Sequence, residues 1–554
     1  MFGEWESNVT KQSRKKIISL ILGIIFAFGI LIGHAFNLEG SFRCYFNSTN
    51  TMIKTVIVLG GMSSLFAVLL YKVYSFDFWE NGVRERNKTS KVNIFIFDKH
   101  PWGIPFVILI VCWLPYIVYL FPGTISWDGL EALCGAFRYM TWTNHHPAIS
   151  SWLMKIAISA GRKIGNETYG FFLYNIIQII LQAAVFAEVF SLLKRKNVCY
   201  LIRWITLIWY AFFTVWPTNG YAMNKDTMYY IMFTLYILLT INFIDRYKQN
   251  QVTWKNILIY IIGMILLCIF RNNGIYVVLL TIPCLLIATG RKHWKVIVIL
   301  LFSMLLYNIA YNHVFLPMMN IKPGSEREMF SVPFQQTARY VKEHSEEITT
   351  EEAEAIRGIL DFDHLAELYN PEISDAVKWT YKDKADNSAK LAYIKTWIKQ
   401  FIKHPLTYFE ATFNNTYRYF DPLQEEYSGG TGGAYEISGP DFYRENFTFS
   451  QNTIFATERK GLQKAAETIK GIPIIGIIYG TGIYTWILLV LTGGIVAERQ
   501  YDKFVILIPL LLSLLICIVS PVNGCMRYML PIMSTLPLTI GIVSGKEKSE
   551  QSKE

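Results

Sequence analysis

The chain is short of charge. Only 17% of its 554 residues are Asp, Glu, Lys or Arg, against 52% hydrophobic residues, and the mean hydropathy is +0.29. Ordinary soluble domains carry about 25% charged residues, so a soluble globular protein is excluded. The sequence has no P-loop, GxSxG or HExxH, which argues against an ATP-driven pump and a membrane metalloprotease. Its eight cysteines form no CxxC and no Cys/His spacing suited to zinc. Cys112, Cys199, Cys268, Cys284 and Cys517 fall in or beside apolar runs, where cysteine is a small hydrophobe. Cys44, Cys134 and Cys525 fall in loops on one side, where a Cys134–Cys525 bridge is an option. Internal repeats and low-complexity tracts are absent. The first apolar run has no small-residue cleavage site and reads as a retained span.

What the sequence has instead is a series of apolar runs long enough to cross a hydrocarbon core of about 30 Å. The expected fold class is therefore an all-α polytopic membrane protein. About twelve spans are predicted, at 17–36, 53–73, 103–121, 169–193, 199–217, 226–244, 256–270, 274–289, 293–316, 471–495, 504–520 and 527–544. The formal net charge of +10 is not a nucleic-acid signal, because Lys and Arg collect in short loops between spans, as the positive-inside rule requires. These are Lys11–Lys16, Lys72–Lys91, "KRK" at 194–196, "DRYK" at 245–248, "GRKHWK" at 290–295, "ERQYDK" at 498–503 and the tail from Gly545. With twelve spans they all share one side, expected to be cytoplasmic along with both termini.

Four regions follow. Residues 1–100 hold two spans and a basic loop, 101–316 a transmembrane core with an outer loop at 122–168, 317–470 an extracytoplasmic segment of soluble, mainly helical composition, and 471–554 three spans and a tail. In the outer loop, Ile149, Trp152, Leu153, Ile156, Ala160 and Ile164 repeat at helical spacing, which predicts an interfacial helix over 149–164 with a second short one at 127–140. Thr349 followed by Glu352 predicts a capped helix at 348–360, and 388–405 reads as amphipathic.

Ionisable groups at membrane depth are functional candidates. Asp128, just past the third span, reads either as a general base or as a helix N-cap. His145 and His146 could hold a phosphate, bind a metal or move a proton, or simply form a polar turn. Lys225 and Asp226 open a span, where they read either as a functional pair or as a helix cap (Asp226) and a snorkelling cation (Lys225). Arg271, followed by Asn272 in "RNNG", needs an anion, and its planar fork suits a phosphate. Arg527 precedes the last span and reads as a phosphate contact or an interfacial anchor beside Tyr528. Gln335, Gln336 and Arg339 in "SVPFQQTARY" are candidates for sugar contact, with a solvated helix face as the alternative. "DFD" at 361–363 resembles the DxD of nucleotide-sugar enzymes, but it lies on the outer side, where nucleotide sugars are lacking.

The runs "FPGTISWDG", "NHHPAISS", "NKDTMYY", "FRNNGIY", "VPFQQTARY" and "MRYMLPI" together resemble a bacterial family of the GT-C class, polytopic glycosyltransferases that use polyprenyl-phosphate sugars. The resemblance covers roughly 120–340 and the last span. It implies that Asp128 deprotonates an acceptor hydroxyl and that Arg271, Lys225, His146, His145 and Arg527 hold the departing phosphate. Asp226, Asn272, Gln335, Gln336 and Arg339 would then lie on the substrate. The implied partners are a lipid-phosphate sugar and a cell-envelope glycan or lipid acceptor, with the site extracytoplasmic. No metal is implied by any spacing here, and the cofactor is left open. Unlike the classical members, whose acidic loop follows the first span, this chain places two additional spans ahead of the one that leads into the loop, and its acid stands without a second. The rival reading is a transporter or flippase for a lipid-linked saccharide, or a non-catalytic assembly protein; twelve spans and buried cations suit a transporter too, but the large outer segment does not.

Overall fold

Each apolar run winds into a helix, because a backbone in lipid satisfies its N–H and C=O groups only within itself. A computed structural model describes residues 2–76, 90–290, 293–428 and 430–544, with side chains from Thr10 onward. The predicted basic positions Arg84, Arg86, Lys88, Arg291 and Lys292 and the tail 545–554 lie outside the described residues. Among the described residues the chain is helical with only isolated β-bridges, and it is a polytopic membrane protein. Seven helices are long and apolar enough to cross a bilayer: Thr10–Leu38, Thr49–Ser75, Glu167–Arg195, Lys225–Lys248, Trp294–Met318, Tyr501–Ile518 and Met526–Ser544. Lys91–Lys99 and Gly103–Tyr119 form a further pair bent by 99°, and Tyr200–Phe212, Trp254–Phe270, Gly274–Thr289 and Gly482–Glu498 are shorter apolar helices.

Two boundaries differ from the sequence expectation. The run at 199–217 breaks at Phe213, and Val215–Gly220 forms a separate short helix. Its Thr218 and Asn219 turn their side chains back onto backbone carbonyls of the preceding turn. The run at 471–495 becomes helical only at Gly482; before it lies a single turn, Ile475–Tyr479, entered through Ile474 at φ 72°.

The basic loops gather at one end. Lys11 and Lys15 pair with Glu498 at 2.8 and 3.2 Å, Lys196 with Asp245 at 2.5 Å and Lys248 with Asp502 at 2.8 Å. Lys225 and Lys248 bound one helix of 24 residues, about 36 Å long at 1.5 Å per residue. Lys225 therefore sits at the end opposite those loops.

At that opposite end the two predicted surface helices form, as Trp127–Phe137 and Ala148–Lys163. The second buries Ser150, Ser151, Met154, Ile158 and Gly161 against the Glu167–Arg195 helix, where Gly161 and Gly170 allow backbone contact. It turns Trp152, Leu153 and Ile156 outward. The apolar stripe read from the sequence thus faces away from the protein, as it does on a helix lying in an interface. The capping box of Thr349 and Glu352 is present on Thr350–Arg357. The amphipathic stretch is the helix Asn387–Lys403, with Leu391, Ile394, Ile398 and Ile402 exposed. All eight cysteines are free, so the Cys134–Cys525 option is closed.

Gln335, Gln336 and Arg339 are neither a solvated face nor part of the cluster described below. They sit in the helix Ser331–Glu343, whose apolar side builds a core of Phe334, Val341, Ile356 and Leu360. Gln335 donates to Asn370 O, and Gln336 donates to Thr412 and accepts from Trp397. Arg339 pairs with Glu410 at 2.5 Å and donates to Gly40 O at 2.9 Å. Buried polar groups are mostly bonded: the two glutamines bond within the soluble segment, and Arg339 ties it to the turn between the first two spans. The "DFD" aspartates are held locally, Asp363 by Arg357 and Asp361 by His364.

Candidate functional site

A short backbone splice sets the site. Thr124 and Ile125 run between residues 221–223 and 437–438: Thr124 N–H donates to Tyr221 O (3.0 Å), Met223 N–H to Thr124 O (2.8 Å) and Ser438 N–H to Ile125 O (2.9 Å). Gln178, buried in the Glu167–Arg195 helix, holds the 220–222 turn by donating to Gly220 O and Ala222 O at 3.0 and 2.7 Å. Gly129 lets the Trp127–Phe137 helix close on this turn, since a Cβ there would lie 2.5 Å from Met223 O. The result places Asp128 directly beside Lys225.

Neither acid is a cap. Ser126 is the N-cap residue of Trp127–Phe137, which puts Asp128 inside the first turn. Asn224 caps Lys225–Lys248, its side chain accepting from Asp226 N at 3.1 Å. Both aspartates are therefore left for side-chain partners, and they meet three cations. Asp128 Oδ2 lies 3.5 Å from Lys225 Nζ and 3.2 Å from Arg527 Nη1. The same Nη1 lies 3.6 Å from Asp226 Oδ2, and Asp226 Oδ1 lies 3.1 Å from Arg271 Nη1. The order is Lys225, Asp128, Arg527, Asp226, Arg271. Asp128 and Arg527 are the most open members of this ladder, 29% and 32% exposed, whereas Lys225 is 15% exposed and Arg271 and Asp226 are 14% and 3%. Arg271 also stacks over Tyr229 and Tyr528 at 5.5 and 4.9 Å. The anion that Arg271 requires is thus supplied from within the chain.

The histidines close one side. Lys225 Nζ donates to His146 Nδ1 at 2.8 Å. An ammonium has no acceptor, so the His146 proton sits on Nε2, which faces Glu131 Oε2 at 3.5 Å. His145 packs edge-on to His146 with ring centroids 4.7 Å apart and lies 3.9 Å from Glu328. Asn272 donates to Asn144 O at 2.6 Å, which fixes the loop carrying both histidines.

Burial works to raise the Asp128 carboxyl, but the Lys225 and Arg527 cations outweigh it and hold it well below the usual carboxylate range. Burial, with the adjoining His146 imidazole and the Lys225 ammonium, pushes His145 down to about 4 from 6.5. His145 is neutral in the fold where the unfolded chain would take up a proton. Stability should therefore fall as pH drops from about 6.5 toward about 4. Melting temperatures of the detergent-solubilised protein across that window should show the decline, and His145→Gln should flatten it.

Two residues the sequence did not mark complete the surroundings. Glu131 is one. The other is Glu426, 7% exposed, which accepts from Met526 N at 3.4 Å; burial pushes its carboxyl up. It belongs to the glycine-rich stretch whose Gly432 O accepts from Asn219 at 2.6 Å. Glu426 thus sits behind the turn that presents Arg527.

Residues 137–554 match the model of a family of unknown function, DUF6020. The chain belongs to this DUF6020 family. The matched region contains His145, His146, Lys225, Asp226, Arg271 and Arg527 and begins nine residues after Asp128. No curated protein and no solved structure matches the chain.

Proposed function

We propose that this DUF6020 chain is a GT-C-type membrane glycosyltransferase that moves a sugar from a polyprenyl-phosphate donor to a cell-envelope acceptor outside the cytoplasm. The observation that carries this is the ladder. Where it is most open, Lys225 and Arg527 converge on the single carboxylate of Asp128 at the mouth of a transmembrane bundle. Two cations at one point, one of them oriented by the His146 imidazole, suit a phosphate whose charge grows as the glycosidic bond breaks. Without donor, Asp128 is neutralised by these cations and is a weak base. A donor phosphate would draw Lys225 and Arg527 onto its own oxygens and raise the proton affinity of Asp128. The base is then strong only when the donor is in place. Arg271 serves differently from the role implied by resemblance: it compensates buried Asp226 and keeps the ladder aligned.

The topology we propose counts the seven long helices, the bent pair as one span and the four shorter apolar helices as one span each, giving twelve crossings. Both termini and the basic loops are then cytoplasmic by the positive-inside rule, and the ladder, the 122–168 loop and the 317–470 segment face outward. Cysteine at exposed Ser428 should react with an impermeant thiol reagent in intact cells; labelling only after lysis would reverse the sidedness.

Donor recognition is tested by native mass spectrometry of the purified protein with a polyprenyl phosphate. Lys225→Met should weaken binding roughly tenfold or more, since hydrogen bonds to charged groups contribute about 1.5–3 kcal/mol. Undiminished lipid binding in Lys225→Met and Arg527→Met would remove the phosphate from this site.

A further inference from the structure

A second cluster lies in the soluble segment, apart from the ladder. The donor atoms of His344, Glu347 and His404 all fall within 4.8 Å of one another. They come from three places in the chain. His344 ends the Ser331–Glu343 helix, Glu347 closes the turn Ser345–Glu347, and His404 stands at the junction of Asn387–Lys403 and Pro405–Asn414. The two imidazoles stack with centroids 3.8 Å apart and planes 16° from parallel.

The hydrogen bonds around His344 fix its tautomer. Thr407 Oγ1 donates its one proton to Glu343 Oε2 at 3.2 Å. Its bond to His344 Nε2, 2.9 Å long, must therefore run from the imidazole N–H to the hydroxyl. In the neutral ring that leaves the Nδ1 lone pair of His344 facing Glu347 Oε1 at 3.6 Å. Two electron-rich atoms confront each other, and the arrangement calls for a positive centre between them. The other carboxylate oxygen, Oε2, lies 3.0 Å from His404 Nε2. Ligand atoms at about 2.0–2.2 Å on tetrahedral zinc are separated from one another by roughly 3.4 Å. The two imidazole–carboxylate spacings, 3.6 and 3.0 Å, bracket that value. A ligating histidine that donates its second N–H to an oriented oxygen is also the usual outer-shell arrangement, and Thr407, itself held by Glu343, supplies it.

We propose that His344, Glu347 and His404 bind a divalent transition-metal ion of the zinc type, which ties the end of one helix to the junction of two others and so braces the soluble segment. Glu347 would present one oxygen to each side of the ion. His404 would shift its proton to Nδ1 and ligate through Nε2. Lys403, now 3.0 Å from Glu347 Oε2 and 41% exposed, would swing into solvent. Its ammonium competes with the metal for the same oxygen.

The test uses the full-length, untagged protein in detergent, stripped with chelator and titrated with Zn²⁺ by calorimetry and with Co²⁺ by visible absorption. One ion per chain is expected, with a rise in melting temperature on Zn²⁺ addition. Thr407→Val should lower affinity about 10- to 100-fold, as loss of an outer-shell partner does. The double variant His344→Ala/His404→Ala should abolish binding. Lys403→Met, which leaves all three ligands intact, should tighten it. Failure of the wild-type protein to bind one ion per chain would overturn the proposal, as would equal affinity in the double variant or weaker binding in Lys403→Met.

Discussion

Asp128→Asn should abolish glycosyl transfer while leaving the protein folded, inserted and able to hold its lipid donor. The substitution keeps the shape of the side chain and removes the base. A positioned general base contributes about 10²- to 10⁴-fold in rate, and a loss in that range is expected in sugar incorporated into the cell-surface acceptor. The geometry sharpens this test. Because Ser126 and not Asp128 is the cap residue, helix capping no longer offers a second account of any effect. Removing the charge also frees Lys225 and Arg527 from their shared carboxylate. Donor binding should therefore be equal or tighter in Asp128→Asn, opposite in sign to its effect on transfer. Transfer at the wild-type rate would sink the assignment of the base. Intact transport of a lipid-linked saccharide without any transfer, in wild type and variant alike, would favour a flippase.

The second large effect belongs to the buried end of the ladder. Arg271→Met should destabilise the protein by about 3–5 kcal/mol, the cost of leaving one partner of a buried ion pair uncompensated. Asp226, 3% exposed, would keep only the more distant Arg527. The double variant Arg271→Met/Asp226→Asn should recover most of that loss, because replacing both members of a buried pair is often close to neutral. Denaturant or thermal unfolding of the single and double variants gives the coupling directly. An Arg271→Met protein as stable as wild type would show that the pair contributes nothing to the fold. If only donor binding fell, Arg271 would regain the direct phosphate role that the resemblance implied.

The ladder was legible because its members break a strong pattern. Asp128, Lys225, Asp226, Arg271 and Arg527 each interrupt or border an apolar run, where a charge is costly enough to need a reason. Their pairing was not legible, since it depends on the splice of Thr124 and Ile125 onto residues 221–223 and 437–438, separated by about a hundred and three hundred residues. Glu131 and Glu426 escaped notice for a different reason. One lies in an amphipathic helix and the other in a glycine-rich loop, and a glutamate in either setting reads as solvated. Gln335, Gln336 and Arg339 show the reverse error: polar residues on a helix of the soluble segment look available for a ligand, but neighbouring helices bury them. His344, Glu347 and His404 were invisible for want of local spacing, the last being 57 residues from its partner carboxylate.

The two leading spans are fastened at both ends. Lys11 and Lys15 reach Glu498, Phe26 stacks on Trp486 at 4.1 Å, and at the opposite end Phe42 N–H and Gly40 O meet Glu410 and Arg339. Seen as a matter of synthesis, these contacts join the earliest part of the chain to parts made roughly 300 to 490 residues later. At about 5–20 residues per second, a ribosome needs on the order of 15 to 100 s to cover that distance. For that interval the nascent hairpin stands in the bilayer with its lateral face and its far turn uncovered. It is a guide post set before the rest of the bundle arrives.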